Sequence, residues 1–337
     1  MRHINIPIFI PHLGCPNQCI FCNQKHISGT VSFDEAEVEK IIIESLSTVT
    51  ENDECEIAFF GGSFTGIDRN LMIRLLDIAQ KYVDIGKVCG IRMSTRPDYI
   101  NREIISILKS YTITYVELGI QSMNNDVLKH LKRGHTTIDS EKAMLLLQEN
   151  NIKYVGQMMI GLPFATAEDE VNCAKAICEF GASAARIYPT LVFCNTELEN
   201  MTSNGLYTPL TVSEAVERSA EVLTVFEENS VECIRIGLCE SENLHSEASF
   251  VAGPNHPSIG EMVKSAFYRN KISNRLENMG LVKSVNIYCS KGKTSQIIGN
   301  KKENILFLKN KFGIEDIKVI EDLDLQSYDI KIEEMES

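Results

Sequence analysis

Over roughly the first 240 residues, apolar runs alternate with segments of helical periodicity, and this alternation limits the fold more than any other feature. The runs are Ile4–Ile10, Glu56–Phe60, Val88–Met93, Thr112–Leu118, Tyr154–Ile160, Ala184–Tyr188 and Cys233–Leu238. Between them the helical pattern falls at about Asp34–Thr48, Asn70–Tyr82, Arg102–Lys109, Asp126–Leu131, Ser140–Asn150, Glu168–Phe180 and Val212–Glu228. Ser32 with Glu35, Thr211 with Glu214 and, more weakly, Thr166 with Asp169 have capping-box spacing. Strands that alternate with helices make right-handed βαβ units and a parallel sheet. Residues 1–240 are therefore expected to form an α/β fold, a parallel (β/α)6-7 TIM-like barrel, partial or full.

Beyond residue 240 the pattern changes. Residues 252–257 (AGPNHP) form a stiff turn, and Ser258 with Glu261 is expected to cap a helix running to about Met279. Strand-like pieces at Val282–Tyr288 and Gln296–Gly299, a helix at about Lys302–Phe312 and a final strand at Ile317–Ile320 follow. Residues 241–337 thus read as a small C-terminal α+β appendage. Its charge sets it apart. The chain carries 33 Lys/Arg against 46 Asp/Glu, a net charge of −13 that argues against nonspecific nucleic-acid binding by the whole surface. Residues 264–318 reverse the balance with 12 basic against 4 acidic side chains, and residues 319–337 restore it with 1 against 7. The basic segment suits a phosphate backbone, or equally a solvated face that complements an acidic barrel. The acidic tail is expected to fray.

No apolar run approaches the length of a membrane span, and Met1-Arg2-His3 leads straight into a strand. Neither a membrane segment nor a secretory signal is expected. Eight of the eleven cysteines are scattered singly through expected strands and helices, the pattern of reduced core thiols in a cytoplasmic protein. The other three lie in 13–23 (LGCPNQCIFCN), just after the first strand, spaced C-x3-C-x2-C. Three soft thiolates on one short loop suit iron–sulfur or zinc. Cys15, Cys19, Cys22 and His26 would close a zinc tetrahedron, whereas a cubane held by three cysteines keeps one iron open.

In parallel α/β folds the chemistry sits at the carboxyl ends of the strands. Those ends here carry the cysteine loop, Gly61-Gly62-Ser63, Ser94-Thr95-Arg96-Pro97-Asp98, Gly119-Ile120-Gln121, Gly161-Leu162-Pro163 and Tyr188-Pro189-Thr190. With Phe21 just before its last cysteine, the loop resembles the signature of the radical S-adenosylmethionine (SAM) superfamily. The segments 90–101 (GIRMSTRPDYIN), 116–136 (VELGIQSMNNDVLKHLKRGHT), 157–163 (QMMIGLP) and 186–198 (RIYPTLVFCNTEL) resemble the radical-SAM core of the catalytic subunit of Elongator. More distantly they resemble oxygen-independent coproporphyrinogen oxidase. The resemblance covers about residues 4–240.

The resemblance implies a 4Fe-4S cluster on Cys15, Cys19 and Cys22, with S-adenosyl-L-methionine on the open iron, cleaved reductively to a 5′-deoxyadenosyl radical. It implies backbone of Gly61, Gly62 and Ser63 at the SAM amino group, Ser94 and Gln157 at the ribose, and Gln121 facing SAM. Arg133 would meet the SAM carboxylate, and the backbone around Phe21 and Gly161 the adenine. Read as residues alone, Gln121 satisfies loop backbone and Arg133 is a solvated helix-end cation. Tyr188, with Arg186 and Glu197 near the sixth strand end, is a weak catalytic candidate for relaying a radical. His135, His245 and His256 read as structural. A reductase, flavodoxin or ferredoxin is the implied electron donor, and tRNA, met by the basic segment 264–318, the implied substrate. A small metabolite or tetrapyrrole precursor is the alternative substrate, and a non-catalytic zinc-stabilised scaffold the alternative class. The chain departs from the Elongator subunit in its compact cysteine spacing. About 97 residues follow the barrel here, so that subunit's acetyltransferase domain is not expected in them.

Overall fold

A computed structural model describes residues 2–10, 13–15, 18–23, 32–50, 53–238 and 249–335. His26, Cys239 and His245 lie outside the described residues. Seven strands form one parallel sheet: β1 (Arg2–Phe9), β2 (Asp53–Phe60), β3 (Gly90–Thr95), β4 (Ile113–Gln121), β5 (Tyr154–Ile160), β6 (Ala184–Pro189) and β8 (Glu232–Ile236). A two-residue strand, β7 (Val192–Phe193), falls between the last two and pairs with β9 (Phe250–Ala252). The order runs β1-β2-β3-β4-β5-β6-β8, so β1 and β8 are edges and the sheet is a curled half-barrel, the partial form of the expected barrel.

Alternation along each strand decides which side chain meets what. Ile6, Ile8, Ile57, Phe59, Ile91, Met93, Val116, Leu118, Met158 and Ile187 point outward and are sealed under the helices. Those helices contribute apolar stripes such as Met72, Leu75, Leu76 and Ala79 from Arg69–Asp84, and Val216, Ala220, Leu223 and Phe226 from Val212–Glu228. The opposite, concave face carries the polar residues.

Thr211 with Glu214 and Thr166 with Asp169 close full capping boxes, and so does Thr136 with Asp139, which the sequence reading did not single out. The Ser32–Glu35 pair does not form one. Asp34 caps instead, and Glu35 makes a two-pronged ion pair with Arg74. Ser258 begins the helix Ile259–Met279 without a side-chain cap, because Glu261 reaches Lys264 and Gln296.

The C-terminal unit is a three-stranded sheet, β11 (Asp316–Glu321), β10 (Ser284–Cys289) and β12 (Ile330–Glu334), with β10 parallel to β11 and antiparallel to β12. Two expectations are corrected there. Residues 296–299 are no strand but the end of a short helix, Thr294–Ile298, that buries Ile297. The acidic tail does not fray over 330–334: Ile330 and Ile332 pair with Cys289 and Ile287. The helix Ile259–Met279 joins the two sheets, packing on Val212–Glu228 on one side and on Thr294–Ile298 and Glu303–Phe312 on the other. Asn304, fully buried, pins this junction by donating to the carbonyls of Ser265 and Ile297. Among the described residues no helix is long and apolar enough to cross a membrane.

Candidate active site

The cysteine loop and the turn after β2 interlock through bare backbone. The Ser63 amide donates to the Leu13 carbonyl at 3.1 Å. A Cβ on Gly62 would lie 2.3 Å from that same oxygen and 2.6 Å from the Ile10 carbonyl, and one on Gly14 only 2.2 Å from the Ser63 carbonyl. The close approach that excludes side chains here is therefore loop against loop, which clamps the segment carrying the thiols. Cys15 Sγ lies 3.7 Å from Ser63 Oγ, and the Cys22 amide donates to the Cys19 carbonyl.

A cavity of about 570 Å³ opens over the concave face. Cys15, Cys19, Cys22, Phe21, Gly61, Gly62, Ser63, Ser94, Gln121, Arg133, Gln157 and Tyr188 all line it. Gly161 does not line it: its amide donates to Glu170 and its carbonyl accepts from the Tyr207 hydroxyl. Glu197 does not line it either. It pairs with Lys132 at a separate, more open depression that Cys19 and Cys22 also line.

Register at the end of β4 explains how two of these residues reach the cavity. The pairing with β5 slips between Gly119 and Gln121, and Gln121 takes φ +68°, so a bulge turns its side chain inward. Its Oε1 is buried without a partner. Gly119 leaves room for Arg133, whose Nη2 would lie 2.8 Å from any Cβ there and instead donates to the Gly119 carbonyl at 2.7 Å. Arg133 Nη1 reaches Cys19 Sγ at 3.4 Å, while its Nε is buried and unpartnered. The guanidinium thus approaches a thiol of the loop as well as lining the cavity. His135, buried beside it, has its pKa pushed down to about 3 by burial and by the Arg133 charge, so the ring is neutral.

A belt of buried ion pairs crosses the floor. Arg92 donates to Glu56 at 2.8 Å and to Glu117 at 3.2 Å. Glu117 also accepts from Gln157 at 2.7 Å and from Arg186, whose Nη1 donates to the Tyr188 hydroxyl at 3.1 Å. Gln157, expected at a ribose, is hydrogen-bonded within this belt. The sequence reading assigned no role to Arg92, Glu117 or Arg96. Arg96 is buried at the rim, held by Asp98 through two 2.9 Å bonds, with Nη1 left without a partner. The available signal was a charged residue at an inward position of an otherwise apolar strand, as at Arg92 and Glu117.

Four of the other cysteines are of a different kind, whereas Cys89, expected in the core, is exposed. Burial pushes Cys173 and Cys233 up to about 12, and Cys55 and Cys178 up to about 11, so they persist as thiols. Among the described residues no three His, Cys, Asp or Glu side chains are grouped tightly enough for a single metal ion. A cubane makes no such demand, since each thiolate takes a different iron. The unpartnered Arg133 Nε, Arg96 Nη1 and Gln121 Oε1 beside three cysteines are polar groups suited to a charged ligand above the loop.

A family model described as the Radical SAM superfamily matches residues 9–177, and one described as the Radical_SAM C-terminal domain matches residues 182–269. A Methanocaldococcus jannaschii protein described as the uncharacterized protein MJ0486 is 28% identical over 232 residues, covering 65% of this chain and 70% of that one. The tRNA uridine(34) acetyltransferase of the same organism is 32% identical over 207 residues, 55% of this chain and 38% of that one. Human Elongator complex protein 3 is 30% identical over 193 residues, 51% of this chain and 35% of that one. The chain thus spans little more than a third of these two proteins. Among solved structures, archaeal Methanocaldococcus infernus Elp3 with an N-terminal deletion superposes with a TM-score of 0.61 at 24% identity, over 80% of this chain and 63% of that one, which marks a shared fold.

Proposed function

Because this chain belongs to the Radical SAM superfamily, and is a radical SAM enzyme whose cofactors are a 4Fe-4S cluster and S-adenosyl-L-methionine, we propose that Cys15, Cys19 and Cys22 hold the cluster and that the substrate is tRNA. The observation that carries the site assignment is convergence: the three cysteines, Arg133, Gln121 and the Gly61-Gly62-Ser63 turn come from four separate chain segments and line one cavity. When bound, these cofactors supply one-electron cleavage of SAM to a radical able to take a hydrogen atom from the substrate.

The protein's part is placement. Arg133 sets a positive charge 3.4 Å from Cys19 Sγ, which offsets thiolate charge, and it lines the cavity, where we assign it the carboxylate of SAM. Gln121 and the Gly61-Gly62-Ser63 turn, which line the same cavity, are assigned to the rest of the amino-acid end. Ser94, Gln157 and the backbone at Phe21 are assigned to the nucleoside. Phe9, Phe21, Phe60 and Leu238 wall the cavity with apolar surface that excludes water. Tyr188 is held at the floor by Arg186, where a substrate carbon would approach.

The tRNA reading is supported by the names of the relatives and by the exposed lysines Lys283, Lys291, Lys301, Lys302 and Lys318 of the C-terminal unit. Other basic residues of the segment serve the fold: Arg269 pairs with Glu217, Lys271 with Glu227 and Lys311 with Glu277. We assign residues 1–240 to the catalytic core, 241–337 to RNA docking, the site of action to the cytoplasm, and electron supply to a flavodoxin, ferredoxin or reductase. Anaerobic reconstitution with dithionite and SAM should release 5′-deoxyadenosine, and bulk tRNA should raise its rate in a salt-dependent way. Release that ignores tRNA would turn the assignment to a small-molecule substrate.

A further inference from the structure

Charges buried on a sheet have to be cancelled locally, and on this concave face they are, up to the last two strands. Across the floor, each strand contributes one inward residue: His3, Glu56, Arg92, Glu117, Gln157 and Arg186 on β1 to β6. Each carboxylate in this row is shared by its flanking donors, Glu56 by His3 and Arg92, and Glu117 by Arg92, Gln157 and Arg186. The next strand breaks the alternation of sign. Arg235 on β8 stands in register with Arg186, and both line the cavity beside Tyr188.

Two guanidinium groups side by side on neighbouring strands repel, and more strongly where water is scarce. Arg235 donates to the Leu238 carbonyl at 3.3 Å, a neutral acceptor, and among the described residues it has no carboxylate partner. Arg186 is fixed by Glu117, itself pinned from three sides, so its fork is set before anything binds. We propose that Arg186 and Arg235 together bind the terminal oxyanion, a carboxylate or a phosphate monoester, of a small molecule that enters the cavity as a reactant beside the tRNA.

A planar guanidinium suits either group; both terminal nitrogens of Arg186 already donate, to Tyr188 and Glu117, so it contributes charge and its remaining N–H bonds. In strand order the pair lies toward the opposite edge of the sheet from the cysteine loop, which follows β1, and the SAM carboxylate is assigned to Arg133 instead. With the ion-pair belt closing the floor beneath, the pair receives the end of a molecule and not a phosphodiester that continues in both directions. This rests on the radical SAM reading of the cavity and adds to it a small anionic reactant distinct from the RNA.

The test is calorimetric titration of the anaerobically reconstituted enzyme with inorganic phosphate and, separately, with acetate, each with and without SAM. Saturable binding of at least one anion is expected, unchanged by SAM and at least tenfold weaker in Arg235→Gln, with Arg235→Lys recovering most of it. The tighter of the two anions names the group. Should Arg235→Gln not fold, Leu238→Asp, which sets a carboxylate against the pair, is expected to abolish binding. No saturable binding of either anion, equal binding by wild type and variant, or displacement by SAM overturns the proposal. Iron, sulfide and SAM affinity measured on the same samples keep the two readings apart. A chain that binds anion but no cluster defeats the enzyme assignment alone, and one that binds cluster and SAM but no anion defeats only the oxyanion site.

Discussion

On the seven-stranded sheet the mid-strand charges Glu56, Arg92, Glu117 and Arg186 point inward, the first three almost sealed from solvent, whereas on the three-stranded sheet Lys318, Glu321, Lys331 and Glu334 face outward. Outward charges cost nothing in desolvation and need no partner. Inward ones cost several kcal/mol each unless paired. A chain that keeps a row of them where apolar side chains would pack is holding polar groups in place for a ligand. The contrast separates the surface that does chemistry from the surface that only keeps the protein in solution or meets a partner.

The sharpest break is expected at the loop. Replacing Cys19 by Ser should remove the cluster, seen as loss of brown colour and of about four irons per chain, with the far-UV circular dichroism unchanged. Retention of iron would mean the loop is not its site. Next is the belt. Glu117→Ala leaves Arg92 and Arg186 buried without their shared carboxylate and should cost about 3–5 kcal/mol in urea unfolding, while Glu117→Gln, which keeps the shape, costs less. A loss no larger than that of a surface pair would mean the inward charges are solvated after all.

Gly62→Ala pushes a methyl against the Leu13 and Ile10 carbonyls, and should cost about 1–3 kcal/mol together with faster loss of iron. His135 gives a pH dependence. Its folded pKa, about 3, lies below the ordinary 6.5, so in that window the unfolded chain binds the extra proton. Stability from this ring is full above pH 6.5 and falls with acid at about 1.4 kcal/mol per unit; His135→Gln should flatten that slope. Smallest of all is Lys311→Ala on the C-terminal unit. Its pair with Glu277 is half exposed, so unfolding should match wild type within error.

The half-barrel was legible because parallel strands buried on both faces read as apolar runs, and because Thr211-x-x-Glu and Thr166-x-x-Asp announce helix starts. The C-terminal unit was less so. Thr294–Ile298 carries β-branched residues that read as strand, yet Asn304 ties the end of that segment to two helices. Ile330 and Ile332 alternate within acidic residues, and the tail's charge hid an edge strand whose partner, β10, lies some forty residues away. In the site, the strand-end motifs led to the cavity lining except at Gly161 and Glu197. Arg92, Glu117 and Arg235 were missed because a lone charge in a strand shows its meaning only when five neighbouring strands bring its partners alongside.

The account turns on a cluster with one iron left open to SAM above Cys15, Cys19 and Cys22. Electron paramagnetic resonance of the dithionite-reduced enzyme, recorded before and after adding SAM, tests this most directly. The spectrum of a reduced 4Fe-4S cluster that changes on adding SAM, and is absent from the Cys19→Ser variant, is the predicted result. A signal indifferent to SAM, or a colourless chain that binds zinc instead, would contradict it.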